Sequence, residues 1–222
     1  MLESDRADEV LEYLAKYGYA SRPHVAVALM WHTMMRVGAI HSLDVEDYDP
    51  ESQSIAVVHR PETGTTIKNG ENGERLVALS NEVCQLLDDW IADKRPEGED
   101  EFGCRPLLST SKARAHRTTL RGDCYRATRP CVVAGDCPHD RDIETCEAIT
   151  YTAPFDCPSS VSPHALRRGG ITHHLNNEVP KDVVGDRANV TREVFDEHYD
   201  RRDQREKTEQ RRMLLDNIYT KV

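Results

Sequence analysis

Apolar positions recur at helical spacing through most of this chain and alternate at strand spacing only in a short middle stretch. Val10, Leu11, Leu14 and Tyr17 share one face, which predicts a helix over 5–17 capped by Ser4. A second helix opens at Ser21 with Pro23 near its start, carries Val25, Leu29 and Met30, and runs to Met35, leaving Arg36 at its C-terminal end. β-Branched runs over 55–59, 65–68 and 75–79 predict strands. The last two flank Asn69-Gly70-Glu71-Asn72-Gly73, so a hairpin is expected with Lys68 near its tip. Ser80 caps a further helix in which Val83, Leu86, Leu87, Trp90 and Ile91 keep core spacing, and Lys94-Arg95-Pro96 ends it. An acidic, Gly-containing loop over 97–105 leads to a basic helix over 111–128. Helices are also predicted over 163–176, near 181–185, over 192–198 and in the charged C-terminal run. The expected fold class is therefore α+β, mainly α, with a small antiparallel sheet.

Within the helix predicted at 163, His164 and Arg167 stand three positions apart in VSPHALRRGG, on one face of one turn. Ser162-Pro163 supplies an N-cap followed by proline at the first helical position, which sets where both side chains start. A fixed His-Arg pair followed by the tyrosine of FDEHYDRR, Tyr199, reads as phosphodiester chemistry. A pentavalent phosphorane carries charge on two non-bridging oxygens, so a second guanidinium is needed, and Arg36 in WHTMMRVGAIHSL can supply it.

Arg36, the His164-x-x-Arg167 pair and Tyr199 stand in the order used by tyrosine recombinases, and the chain over roughly 21–202 resembles the catalytic domain of that phage-integrase family. Lys68 in TGTTIKNGENGERLVALS is similar to the family's hairpin lysine. The resemblance implies site-specific cleavage and rejoining of double-stranded DNA, without ATP, metal or other cofactor in catalysis. Tyr199 would form a 3′-phosphotyrosyl link and free a 5′-hydroxyl, with His164 as proton acceptor or phosphate donor and Lys68 as general acid on the leaving oxygen. Arg168, Arg187, Arg201 and Arg202 are the implied DNA-binding cations, and self-association on DNA is expected. Three departures from the family pattern stand out. Met34-Met35 replaces the glycine of T-G-x-R, and Ala39 replaces an acidic residue usual three positions after the arginine. Asp186 follows Gly185 where the family has histidine, so Arg187 or His198 is a candidate for that donor role. The N-terminal helical arm domain of such enzymes is expected to be absent.

Asp and Glu number 39 against 29 Lys and Arg, a formal net charge of −10 in 222 residues. Such a balance runs against binding a polyanion through overall charge. The arginines, however, cluster around the motifs just named, while acids gather in the first 12 residues, over 44–51 and over 97–101. An acidic shell of this kind resembles proteins of salt-loaded cytoplasms, as in halophilic archaea. At high salt, directed Arg-phosphate hydrogen bonds then carry more of the binding than counterion release. No run of about 18 apolar residues predicts a membrane span, and the N-terminus MLESDRADEV has no signal-peptide pattern, which points to the cytoplasm.

Residues 131–160 hold much Cys, Pro, Gly and Asp and little periodicity, so something other than a hydrophobic core must order them. Structural zinc bound by Cys131, Cys137, Cys146 and Cys157, with His139 as a substitute ligand, is the expectation there. Two other readings stay open: a decayed integrase that binds DNA without cutting it, and a zinc-organised interaction module in which the Arg-His-Arg-Tyr order is accidental.

Overall fold

The helix that precedes Arg36 and the helix that carries His164 and Arg167 each begin where the sequence places a hydroxyl just ahead of a proline. In the computed structural model, which describes residues 1–191 together with Phe195, Thr208, Arg212 and Leu215, Ser21 accepts from the His24 amide at 3.4 Å and starts α2 (Arg22–Thr33). Ser162 likewise accepts from the Ala165 amide at 3.2 Å and starts α7 (Pro163–Asn176). Each cap satisfies an amide that the helix itself leaves without a partner.

Helix α2 is buried on every side from His24 to Trp31, and a helix apolar all round must sit at the centre of a domain. Around it pack α1 (Ser4–Tyr17), α4 (Asn81–Asp89), α5 (Arg117–Ala127) and α7. Helix α1 buries Ala7, Val10 and Leu14 against it. Two details of the expected first helix change: Ser4 is already helical, with Glu3 at the cap position, and Tyr17 is 65% exposed.

The sheet is a three-stranded antiparallel meander, β1 (Tyr48–Asp49), β2 (Ser54–Val57) and β3 (Arg75–Ala78), in that order. Its register pairs Val57 with Arg75 and Ile55 with Val77. The expected strand at 65–68 does not form. Only the Arg60–Thr65 bridge pairs there, because the segment folds over short helical turns at Pro61–Thr63 and Gly70–Gly73. Lys68 consequently sits in the long β2–β3 connection and not on a strand. The expected helix over 111–128 is confined to α5, which begins after a His116 cap. A six-residue helix, α3 (Val37–Ser42), which the hydrophobic pattern had not marked, follows Arg36.

The cysteine-rich segment, which opens with the one-turn helix α6 (Pro130–Val133), is held by arginines that reach across to backbone carbonyls. Arg129 donates to the Ala148 carbonyl, Arg6 to those of Thr128 and Ser159, and Arg141 to that of Asp156 at 3.2 Å. The expected zinc set is not assembled. Cys131, Cys137, Cys146 and Cys157 are free thiols, and among the described residues no three Cys, His, Asp or Glu side chains are grouped so as to hold a metal ion. His139 instead pairs with the Ser159 hydroxyl at 2.9 Å. An ion-pair network of Arg60 and Arg114 with Asp44, Asp47 and Asp100 ties the loops beside the sheet.

Two histidines make this core sensitive to acid. His24, 6% exposed, has its pKa pushed down to about 4 by burial and then by the charge of His32, and its Nδ1 has no partner. Burial, followed by Arg117, Arg114 and His116, pushes His41 down to about 4 as well. Both are neutral when folded and regain an ordinary pKa near 6.5 when unfolded, so their contribution is complete above pH 6.5 and is lost as pH falls toward 4. The loss from His24 is on the order of 2–3 kcal/mol. Thermal midpoints measured between these two pH values are expected to fall steeply, and to fall less in His24→Gln; a flat profile would contradict this.

Candidate active site

The turn that carries Arg36 is unusual. Thr33 ends α2 by donating its hydroxyl back to the Leu29 carbonyl, and Met34 then takes the left-handed conformation, φ 56° and ψ 24°, although it is a fully buried methionine. A bulky side chain there costs of order 1–3 kcal/mol. This is the position at which the T-G-x-R pattern has glycine, which adopts that conformation without penalty. Arg36 follows as the N-cap residue of α3, in extended backbone, and not at the end of α2 as its sequence position implied.

Arg167 holds the strained turn from the other side. It lies on α7, 2% exposed, and donates one Nη to the Met34 carbonyl. Helix α7 comes this close because Gly169 and Gly170 face α2: a Cβ on Gly170 would sit 2.6 Å from the Trp31 carbonyl oxygen. Only Met35 separates the residue whose carbonyl Arg167 grips from Arg36 itself, so the two guanidiniums expected to share an anion are tied to one turn. His164, one turn earlier on α7 and exposed, has its pKa lowered by partial burial and then by the charges of Arg167, Arg168 and Arg36. Three arginines therefore act on one imidazole, which is neutral near pH 7 and able to accept a proton.

Arg36 donates Nη1 to the Asn189 carbonyl at 3.0 Å. Asn189 is the left-handed C-cap of α8 (Lys181–Ala188), and its carbonyl takes the buttressing place that the Ala39 departure had left open. Its side chain accepts from Asn69 Nδ2 at 3.4 Å, bringing the β2–β3 connection to the same corner. Gly73 is needed there, since a Cβ would stand 2.4 Å from the Lys68 carbonyl and 3.0 Å from Asn189 Nδ2. Lys68 is exposed at this corner. A second, smaller core of Met34, Ile171, Leu175, Val184, Ala188 and Phe195 joins α7 to α8. Phe195, 2% exposed, anchors the chain four positions before Tyr199.

A model of the phage integrase family matches residues 1–130, more than half of the chain. The chain belongs to the phage integrase family. No curated protein matches it. Among solved structures this integrase-family chain is similar to the XerA recombinase, with 16% identity, a TM-score of 0.63, and 99% of this chain aligned to 62% of that one. The Tn1549 transposon integrase in complex with transposon right end DNA gives 14% identity and a TM-score of 0.67, covering 96% of this chain and 65% of that one. The same integrase with a circular intermediate DNA gives 15%, 0.64, 95% and 65%. These likenesses show the fold, and this chain spans less than two thirds of the length of each.

The integrase-family domain thus brings Arg36, Arg167 and His164 together, with Arg168 half-buried beside them and Lys68 at the adjoining corner. Arg187 fastens α8 to β3 and α2, its two Nη atoms donating to the Ala78 carbonyl at 2.9 Å and the His32 carbonyl at 3.0 Å. Asp186 is exposed. Tyr199, His198, Arg201 and Arg202 lie outside the described residues. Sequence reasoning overlooked Asn189 and Arg75. For Arg75 a signal was present, because it shares the inward strand face with Val77.

Proposed function

We propose that this chain is a tyrosine-type site-specific recombinase that cuts and rejoins duplex DNA through a covalent link to Tyr199. The observation that carries this reading is the grip of Arg167 on the Met34 carbonyl, which sets two guanidiniums and a neutral imidazole around one turn. The phenol oxygen of Tyr199 attacks phosphorus and the bond to the 5′-oxygen breaks. Arg36 and Arg167 hold the charge that builds on the non-bridging oxygens. His164, kept neutral by its cationic neighbours, accepts the phenol proton, and Lys68 protonates the departing 5′-oxygen. Rejoining reverses each transfer, so the phosphodiester energy is retained and no cofactor enters the chemistry. The fold is shared with an integrase solved on transposon DNA, which supports duplex DNA as the substrate. Self-association on DNA, as strand exchange requires, belongs to the same proposal, as does an acidic surface adapted to a high-salt cytoplasm. Among the described residues no helix is long and apolar enough to cross a membrane.

A pool of nicked random duplexes, incubated with the chain and resolved under denaturing conditions, tests this. A protein–DNA adduct that survives detergent is expected for the unaltered chain and is expected to vanish in Tyr199→Phe, which lacks the nucleophilic oxygen. DNA binding with no adduct in either protein would mean that the chain binds without cutting.

A further inference from the structure

Arg75 opens β3 on its inward face and is fixed by two of its donors: Nε to the Arg187 carbonyl at 3.0 Å and Nη1 to the Gly73 carbonyl at 2.9 Å. Nη2 makes no hydrogen bond among the described residues. Two residues along the same chain turn, the Asn189 carbonyl holds Arg36 at 3.0 Å. The C-terminal end of α8 therefore gathers two guanidiniums, as the negative end of a helix dipole favours. Carbonyls are only partial charges, however, and among the described residues no carboxylate acts on Arg75. Burial first, and then the charge of Arg36, push its pKa down to about 10. A guanidinium desolvated in this way is costly until an anion reaches it.

We propose that Arg75 is a third phosphate-binding guanidinium, its Nη2 donating to a non-bridging oxygen of the DNA backbone beside Arg36. The inference rests on the DNA-cleaving reading and deepens it. It also supplies, from the sheet side, a donor that Asp186, a carboxylate, lacks. With Nε and Nη1 anchored, the third arm is already oriented, so little side-chain entropy is lost on binding.

The test is the salt dependence of binding to a fluorescein-labelled random-sequence duplex. Each phosphate contact adds about 0.9 to the slope of log affinity against log salt. Arg75→Gln is expected to lower the slope by about that amount and the rate of adduct formation about a hundredfold, while Arg75→Lys keeps the slope. A purely structural role, through the Arg187 carbonyl, predicts the unaltered slope in both variants and would overturn the proposal. Should Arg75→Gln fail to fold, phenylglyoxal modification of the unaltered chain decides: the duplex is expected to protect Arg75, and equal modification with and without it overturns the proposal. An unaltered chain that forms its adduct while Arg75→Gln keeps the slope removes this inference alone; an unaltered chain that binds no duplex removes both.

Discussion

Arg167→Ala is expected to reduce covalent adduct formation by about 10²–10³-fold, the usual consequence of removing one preorganised donor from a phosphate pocket. Three effects coincide at this residue. The substitution removes a charge from a site where the guanidinium is 2% exposed and therefore poorly screened. It deprives the Met34 carbonyl of its donor, loosening the left-handed turn that aims Arg36, at a stability cost of about 1–3 kcal/mol. It also takes away the nearest of the charges that lower the pKa of His164, so that pKa is expected to rise and the acid limb of the pH–rate profile to move upward. Arg167→Lys keeps the charge but loses the planar fork, and should recover only part of the rate. Adduct rates against pH, measured beside thermal midpoints, separate the parts. An Arg167→Ala protein cutting within about threefold of the original would show that Arg167 serves the fold alone.

Gly170→Ala is expected to cost about 2–3 kcal/mol, which for a domain of this size lowers the thermal midpoint by roughly 5–10 °C. The added Cβ would stand 2.6 Å from the Trp31 carbonyl oxygen and 3.4 Å from Met34 Cγ, and the first of these is backbone that cannot swing away. Gly169 is tighter still, 2.2 Å from the Leu2 carbonyl oxygen and 2.8 Å from the Trp31 ring. Helix α7 must retreat from α2 to admit either methyl group, and Arg167, one turn upstream, would then lose the Met34 carbonyl. Activity should therefore fall even at temperatures where the variant is folded. Gly38→Ala is the matched control. Its Cβ meets only the Arg117 guanidinium at 3.8 Å, so the change should be neutral or stabilising by up to about 1 kcal/mol. A Gly170→Ala protein as stable as Gly38→Ala would mean that the close crossing of α7 and α2 is not required.

Much of the fold could be read from local rules because those rules act within a few residues. Ser21 and Ser162 cap the helices assigned to them, the helix at 163–176 has the predicted ends, and Val83, Leu86, Leu87 and Trp90 are buried as their spacing required. Errors occurred where a local tendency met a distant partner. Thr65 to Lys68 has strand-forming composition, but β2 takes β3 as its neighbour, which leaves that segment nothing to pair with beyond the single bridge at Thr65. The four cysteines have metal-ligand chemistry but are not grouped as a metal site among the described residues, and Arg6 and Arg129 from outside that segment, with Arg141 inside it, donate to its carbonyls.

At the candidate site the sequence alone determined which groups are proposed for the chemistry, Arg36, Lys68, His164, Arg167 and Tyr199, and it placed His164 and Arg167 on one face of a capped helix. Only the tertiary structure decided how those groups are held. That Arg167 reaches the Met34 carbonyl, that Asn189 receives Arg36, that Arg187 is fastened to Ala78 and His32, and that Nε and Nη1 of Arg75 are held by Arg187 and Gly73 all depend on backbone carbonyls. Every residue has a carbonyl, so no residue type announces which one will be an acceptor; only the meeting of α7, α8 and the sheet at the end of α2 selects them.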